Sequence, residues 1–308
     1  MKAAFVFPGQ ASQFVGMGKD LYDTYEIAHH IFDTANEIMG LDLRQICFEG
    51  PEDKLKQTYI TQPAIFVHSV AVNSILKERG FIPQAVAGHS LGEYSALVSA
   101  EALSFEDGLK LVKERGRLMY EAGQKQPGTM AAIIGLAPEK VQELCDSLAN
   151  QGIVQPANFN SPGQIAISGE VEVVRAAIDM ATEMGAMKAI ELVVSGAFHS
   201  PLMRAAQEGL QTALENTEFN DARVPLYSNV EAAAVQDKDK IRQLLIQQLT
   251  KPVLWQTIIE NMIKDGCQPF YEIGPGRVLK GLQKRINRKM ACNEVGTTEN
   301  IENLGENA

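Results

Sequence analysis

The chain has 308 residues, enough to bury a full core and to hold a large domain beside a smaller one. It carries 28 Lys and Arg against 38 Asp and Glu, a formal charge of −10, which argues against nucleic acid and anionic membrane as partners. Hydrophobic residues make up 45% and charged residues 21%, and no apolar run approaches the roughly 18 residues of a membrane span, so a soluble globular protein is expected.

The first run, Met1 to Phe7, has one charge and is broken by Pro8. It reads as a strand over 3–7 rather than a signal peptide. Pro8-Gly9-Gln10-Ala11-Ser12-Gln13 follows as a turn. A loop at the carboxyl end of a strand is where α/β proteins place ligand contacts, although a plain polar connection reads as well. Helices are expected at about 20–39 and 53–57, and then from Ala64 to Arg79 with Pro63 near the first turn. Ile65, Val67, Val70, Ala71, Ser74 and Ile75 cover most of the last helix's circumference, so it should be buried. A short strand, Gln84 to Ala87, feeds Gly88-His89-Ser90-Leu91-Gly92, which fits the Gly-x-Ser-x-Gly elbow. A serine on so tight a strand-to-helix turn needs neighbours without a Cβ two residues before and two after it.

Ser104 opens the next helix, which runs to about Glu121 and carries Lys113, Arg115 and Arg117. The polar stretch Gln124 to Gly128 marks a domain boundary. Beyond it the texture becomes strand 129–135, helix 138–150, strand 153–158, strand 164–168, helix 171–184 and strand 187–194. That β-α-β-β-α-β order is ferredoxin-like. The expected architecture is an α/β-hydrolase-like large domain with a parallel central sheet, residues 1–125 and 196–308, interrupted by a small ferredoxin-like domain at 126–195. The large unit resumes with a helix to about Asn216, a strand at 224–229, helices at 238–249 and 255–265, and a strand at 270–273. A Lys- and Arg-rich helix follows, and the tail beyond Thr298 should fray.

Cys47, Cys145, Cys267 and Cys292 are far apart, which suits reduced thiols in a cytoplasmic protein and neither a disulfide frame nor a metal site. Of the five histidines, His29 and His30 lie on an amphipathic helix and His68 lies in an apolar one, so they read as surface or core residues. His89 adjoins Ser90 and should point away from it. By elimination His199, after Gly196-Ala197-Phe198 at a domain junction, is the best base for Ser90. Taken without Ser90, a capping or buried histidine would read equally well. Arg115 belongs either to a solvated face or to the cleft, where its planar fork would suit a carboxylate.

Phe7-Pro8-Gly9-Gln10, Thr61-Gln62-Pro63-Ala64, Gly88 to Tyr94, Arg115, Gly196 to Ser200 and Gln248-Leu249-x-x-Pro252-Val253-x-Trp255 occur in that order. Together they closely resemble the malonyl-CoA:acyl carrier protein transacylases of bacterial fatty acid synthesis and the acyltransferase domains of polyketide synthases. The resemblance spans residues 5 to about 285. It implies Ser90 as nucleophile and His199 as general base, oriented by a backbone carbonyl at Gln248. It implies an oxyanion hole from the N–H groups of Gln10 and Leu91. Arg115 would hold the malonate carboxylate, Asn160 would line the cleft, and Phe198 matches the malonyl-selecting form of its motif. The implied partners are malonyl-CoA as substrate and acyl carrier protein, which brings its own phosphopantetheine, so no cofactor is expected. A monomer is expected. A free-standing polyketide acyltransferase and a serine hydrolase or thioesterase are the competing readings. Lys280, Lys284, Arg285, Arg288 and Lys289 form the densest basic cluster, either a docking patch for the carrier protein or a solvated helix face.

Overall fold

A computed structural model describes residues 2–305. Among the described residues, ten strands form two sheets. In chain order they are β1 (Lys2–Phe7), β2 (Ala85–Gly88), β3 (Gly128–Ile134), β4 (Val154–Ser161), β5 (Gln164–Glu170), β6 (Lys188–Glu191), β7 (Leu226–Tyr227), β8 (Ala234–Val235), β9 (Cys267–Ile273) and β10 (Cys292–Val295). The six-stranded sheet has the order β10-β9-β1-β2-β7-β8 and is parallel except for β8. Its central strands are buried on both faces. In β1, Phe5 and Phe7 join one core cluster while Ala4 and Val6 join the other. This explains why β1 reads as a continuous apolar run and not as an alternation.

The four-stranded sheet has the order β4-β5-β3-β6 and is antiparallel throughout. Helices Pro138–Ser147 and Val171–Glu183 cover it around Ile133, Ile165 and Ile167, the ferredoxin-like arrangement expected from the strand and helix order. It is tied to the larger unit, in the stretch before helix Trp255–Lys264, by two backbone bonds, Phe159 N–H to Val253 O and Val253 N–H to Ala157 O, each 2.9 Å.

Several elements differ from expectation. The buried helix begins at Thr58 and runs to Glu78, so Pro63 is internal. Seventeen of its residues are buried, and packing on that scale outweighs the one hydrogen bond that a proline removes. Helix Leu43–Glu49 and the short strands β8 and β10 lack the β-branched runs or length that would announce them. Residues Thr298–Gly305 form a helix where fraying was expected. Ile301 is buried, its carbonyl accepts from Arg79, and Asp20 accepts from Thr298 N–H at 2.7 Å. Those tertiary ties, invisible in a polar tail, hold it. All four cysteines are buried and free. Among the described residues no helix is long and apolar enough to cross a membrane.

His68 lies wholly inside, and burial, opposed by the Asp20 carboxylate and the Gly296 backbone, pushes it down from 6.5 to about 4. Between those values the unfolded chain binds a proton that the folded chain refuses, so stability falls as pH falls through that window. The loss should reach about 3 kcal/mol. His68→Leu should flatten the pH dependence of the urea midpoint between 6.5 and 4; an unchanged slope would show that His68 does not carry it.

Candidate active site

Three neighbouring strands of the large sheet end at one place. Gln10 follows β1, Ser90 follows β2 and Asn229 follows β7. Ligand sites of parallel sheets form outside such carboxyl ends. Ser90 has φ 52°, the strained turn that the elbow requires, and helix Gly92–Ser99 starts behind it. A Cβ on Gly88 would fall 1.9 Å from the Gly92 backbone, and one on Gly92 would fall 2.1 Å from Phe7 O. The glycines are therefore set by contact between the elbow's two arms and with β1. Across this junction, a Cβ on Gly9 would lie 2.5 Å from His89 O, so the Gln10 loop is pressed against the elbow.

Ser90 Oγ lies 2.8 Å from His199 Nε2. On the far side of the ring, Nδ1–H donates to the backbone carbonyl of Gln248 at 2.8 Å. A carbonyl only accepts, so it fixes the proton on Nδ1 and leaves the Nε2 lone pair facing the serine. Burial, then the Arg115 guanidinium, push His199 down to about 3, with the Gln248 contact opposing them, so the imidazole is neutral near pH 7. His199 has φ 58°, a second strained non-glycine residue beside Ser90. Gln155 Nε2–H holds its carbonyl at 2.8 Å.

Arg115 comes from helix Phe105–Lys125 and is 1% exposed. Its acceptors are all neutral: Ser90 Oγ at 2.9 Å, Gln248 Oε1 at 3.0 Å and Gln62 Oε1 at 2.5 Å. Its guanidinium also lies over the Tyr94 ring at 5.7 Å. Burial lowers the Arg115 pKa, as expected for a cation without a carboxylate in contact. A buried cation short of an anion, within hydrogen-bond reach of a nucleophile, is arranged to receive an anionic group.

The structure thus brings Ser90, His199, Arg115 and Gln248 together. Leu91 continues the elbow and is buried. Gln10 is tied to the set through its side chain: Arg115 donates to Gln62, Gln62 to Thr58 at 3.1 Å, and Thr58 to Gln10 at 3.0 Å. His89 turns away from Ser90 and pairs with Asn160 Oδ1 at 2.8 Å, which brings β4 against the elbow. Phe198 is 6% exposed and its ring belongs to the main core. Lys113 and Arg117 sit on the exposed face, as expected, and Arg117 pairs with Glu114 and Glu121.

Sequence reasoning missed Gln62, Glu93 and Asn229 as members of the site. Asn229 Oδ1 accepts from Ser90 N–H at 2.7 Å and its Nδ2 donates to Gly88 O at 2.6 Å, bracing the elbow from β7. Its position just past a parallel strand was the available signal.

Residues 4–300 match the acyl transferase domain family. The chain belongs to that family. It is 46% identical over 302 residues to a malonyl CoA-acyl carrier protein transacylase of Bacillus subtilis (strain 168), covering 98% of this chain and 95% of that protein. A malonyl CoA-acyl carrier protein transacylase of Staphylococcus aureus (strain MRSA252) is 41% identical, covering 99% of each chain. Among solved structures, a malonyl-transacylase in holo complex with its type II polyketide synthase acyl-carrier protein superposes with a TM-score of 0.97 at 41% identity, covering 100% of both chains. As an acyl transferase domain, this chain is an acyltransferase.

Proposed function

We propose that this acyltransferase moves the malonyl group from malonyl-CoA to the phosphopantetheine thiol of acyl carrier protein, in the cytoplasm and as a monomer, to feed fatty acid elongation. The observation that carries the reading is the buried Arg115 guanidinium, with only neutral acceptors, 2.9 Å from the oxygen of a Ser–His pair. The names of the relatives support malonyl as the group and carrier protein as the acceptor. We take residues 126–195 as a unit inserted in the catalytic domain, with Asn160 reaching across the cleft to His89.

Ser90 Oγ attacks the thioester carbonyl while His199 Nε2 takes its proton. The oxyanion sits on the N–H groups of Leu91 and Gln10. The C–S bond breaks, His199 returns the proton to the departing CoA sulfur, and a malonyl ester remains on Ser90. Arg115 holds the free carboxylate of that ester. The carrier's thiol then gives its proton to His199 and attacks the ester. Collapse of this second intermediate releases Ser90 with that proton. Phe198, the residue before the base, is the one we assign to selecting malonyl over branched acyl groups.

Incubation with malonyl-CoA alone should leave a stable malonyl ester on the Ser90 peptide, detected by mass spectrometry. Rapid, steady release of malonate with no adduct would instead favour a hydrolase.

On helix Val278–Ile286, Lys280 pairs with Glu294 and Arg285 with the Gln164 side chain, while Lys284 is exposed. Reversal of Lys284 and Arg285 to Glu should raise the KM for carrier protein several-fold and leave that for malonyl-CoA unchanged. If neither constant moves, this helix is not part of the docking surface.

A further inference from the structure

Glu93 follows the second elbow glycine and is 2% exposed. Its Oε2 accepts from Gln248 Nε2–H at 2.7 Å and from Asn229 N–H at 3.3 Å. Both partners grip the reacting residues. Gln248 receives His199 Nδ1–H on its carbonyl and Arg115 Nη2–H on Oε1, and it donates from Nε2 to Ser90 O at 3.1 Å. Asn229 holds the Ser90 N–H and the Gly88 carbonyl. One buried carboxylate therefore stands behind all three reacting residues.

The Gln248 amide has one donor end and one acceptor end, while a carboxylate oxygen only accepts and a guanidinium only donates. Turning the amide over would set oxygen against Glu93 and N–H against Arg115, so Glu93 and Arg115 together fix its orientation. Arg115 also lacks a carboxylate in contact, and Glu93 is the carboxylate whose field reaches it. Burial lifts Glu93 from 4.5 to about 7, with Gln248, Asn229 and Arg115 opposing, so the charge is present on the alkaline side of 7.

We propose that Glu93 is a positioning residue for acyl transfer: it locks the Gln248 amide with its oxygen toward Arg115, and so keeps the guanidinium set beside Ser90. The proposal rests on the assignment of Ser90, His199 and Arg115 given above. It adds a specificity role for a residue that touches neither substrate nor base.

The test is Glu93→Gln, which keeps the shape and one acceptor oxygen but removes the charge and adds a donor. Alkaline of pH 7, the malonyl-over-acetyl ratio of kcat/KM should fall roughly tenfold or more, and the His199 Nδ1–H proton resonance should shift. Equal losses for both acyl groups with an unmoved resonance, or no change at all, would overturn the proposal. If Glu93→Gln does not fold, Gln248→Met keeps the carbonyl for His199 and removes both amide ends. The same fall in ratio is then expected, and an unchanged ratio overturns the proposal. Ser90→Ala separates the two layers. If it still forms product, the assignment beneath has failed; if it is inactive while Glu93→Gln matches the unmodified protein, only the Glu93 role is lost.

Discussion

Ser90→Ala should leave no malonyl adduct and reduce transfer on the order of 10⁴-fold or more, and His199→Ala should do nearly as much. The two side chains act as one unit: the hydroxyl is a poor nucleophile until Nε2, 2.8 Å away, takes its proton. The double variant should therefore be scarcely worse than either single one. Among the described residues no acid is hydrogen-bonded to this histidine. The Gln248 carbonyl takes the place of a carboxylate, supplying tautomer and orientation without a negative charge. A carboxylate there would raise the imidazole's proton affinity and neutralise part of the Arg115 field needed for the substrate. Single-turnover kinetics with malonyl-CoA, read by mass spectrometry of the Ser90 peptide, decides the matter. A Ser90→Ala protein that still transfers malonyl would remove the covalent route.

Legibility followed the range of the physics. The elbow was readable because its constraint is local: Gly88 and Gly92 meet within one turn, and any Cβ there collides with backbone. The small sheet was readable because its strands and helices alternate in one stretch of chain. His199 was singled out by elimination among five histidines, and the structure sets its Nε2 2.8 Å from Ser90 Oγ. The bracing network was hidden because it is long-range and polar. Asn229 lies 139 residues from the serine it holds, and Gln248 lies 155 from Glu93. Amides and a lone glutamate carry no periodicity or spacing that marks them for burial. The burial of Arg115 was equally undecidable, since Lys113 and Arg117 on the same helix are surface residues. The turn of the helix, set by packing against Thr58 and Tyr59 at Gly116, sends Arg115 inward.

Arg115→Ala should cost malonyl transfer roughly 10²- to 10³-fold and should leave acetyl transfer equal to or better than in the unmodified protein. The carboxylate of a malonyl ester on Ser90 stands only two carbons from the ester oxygen, and Nη2 is already 2.9 Å from that oxygen. A guanidinium so placed can turn from Ser90 to the carboxylate without moving its helix. In a site that excludes water, that pair is worth far more than at the surface. An acetyl group brings no charge, so against it the same guanidinium is a buried cation left unpaired, which is the repulsive half of the selectivity. Arg115→Lys should recover only part of the malonyl activity, because an ammonium cannot bond in parallel to both carboxylate oxygens. Alanine also strips a donor from Gln62 and from Gln248, so thermal stability must be measured beside the rates. Parallel kcat/KM values for malonyl-CoA and acetyl-CoA give the answer. Equal losses for the two would mean that Arg115 braces Ser90 and Gln248 but does not hold the substrate.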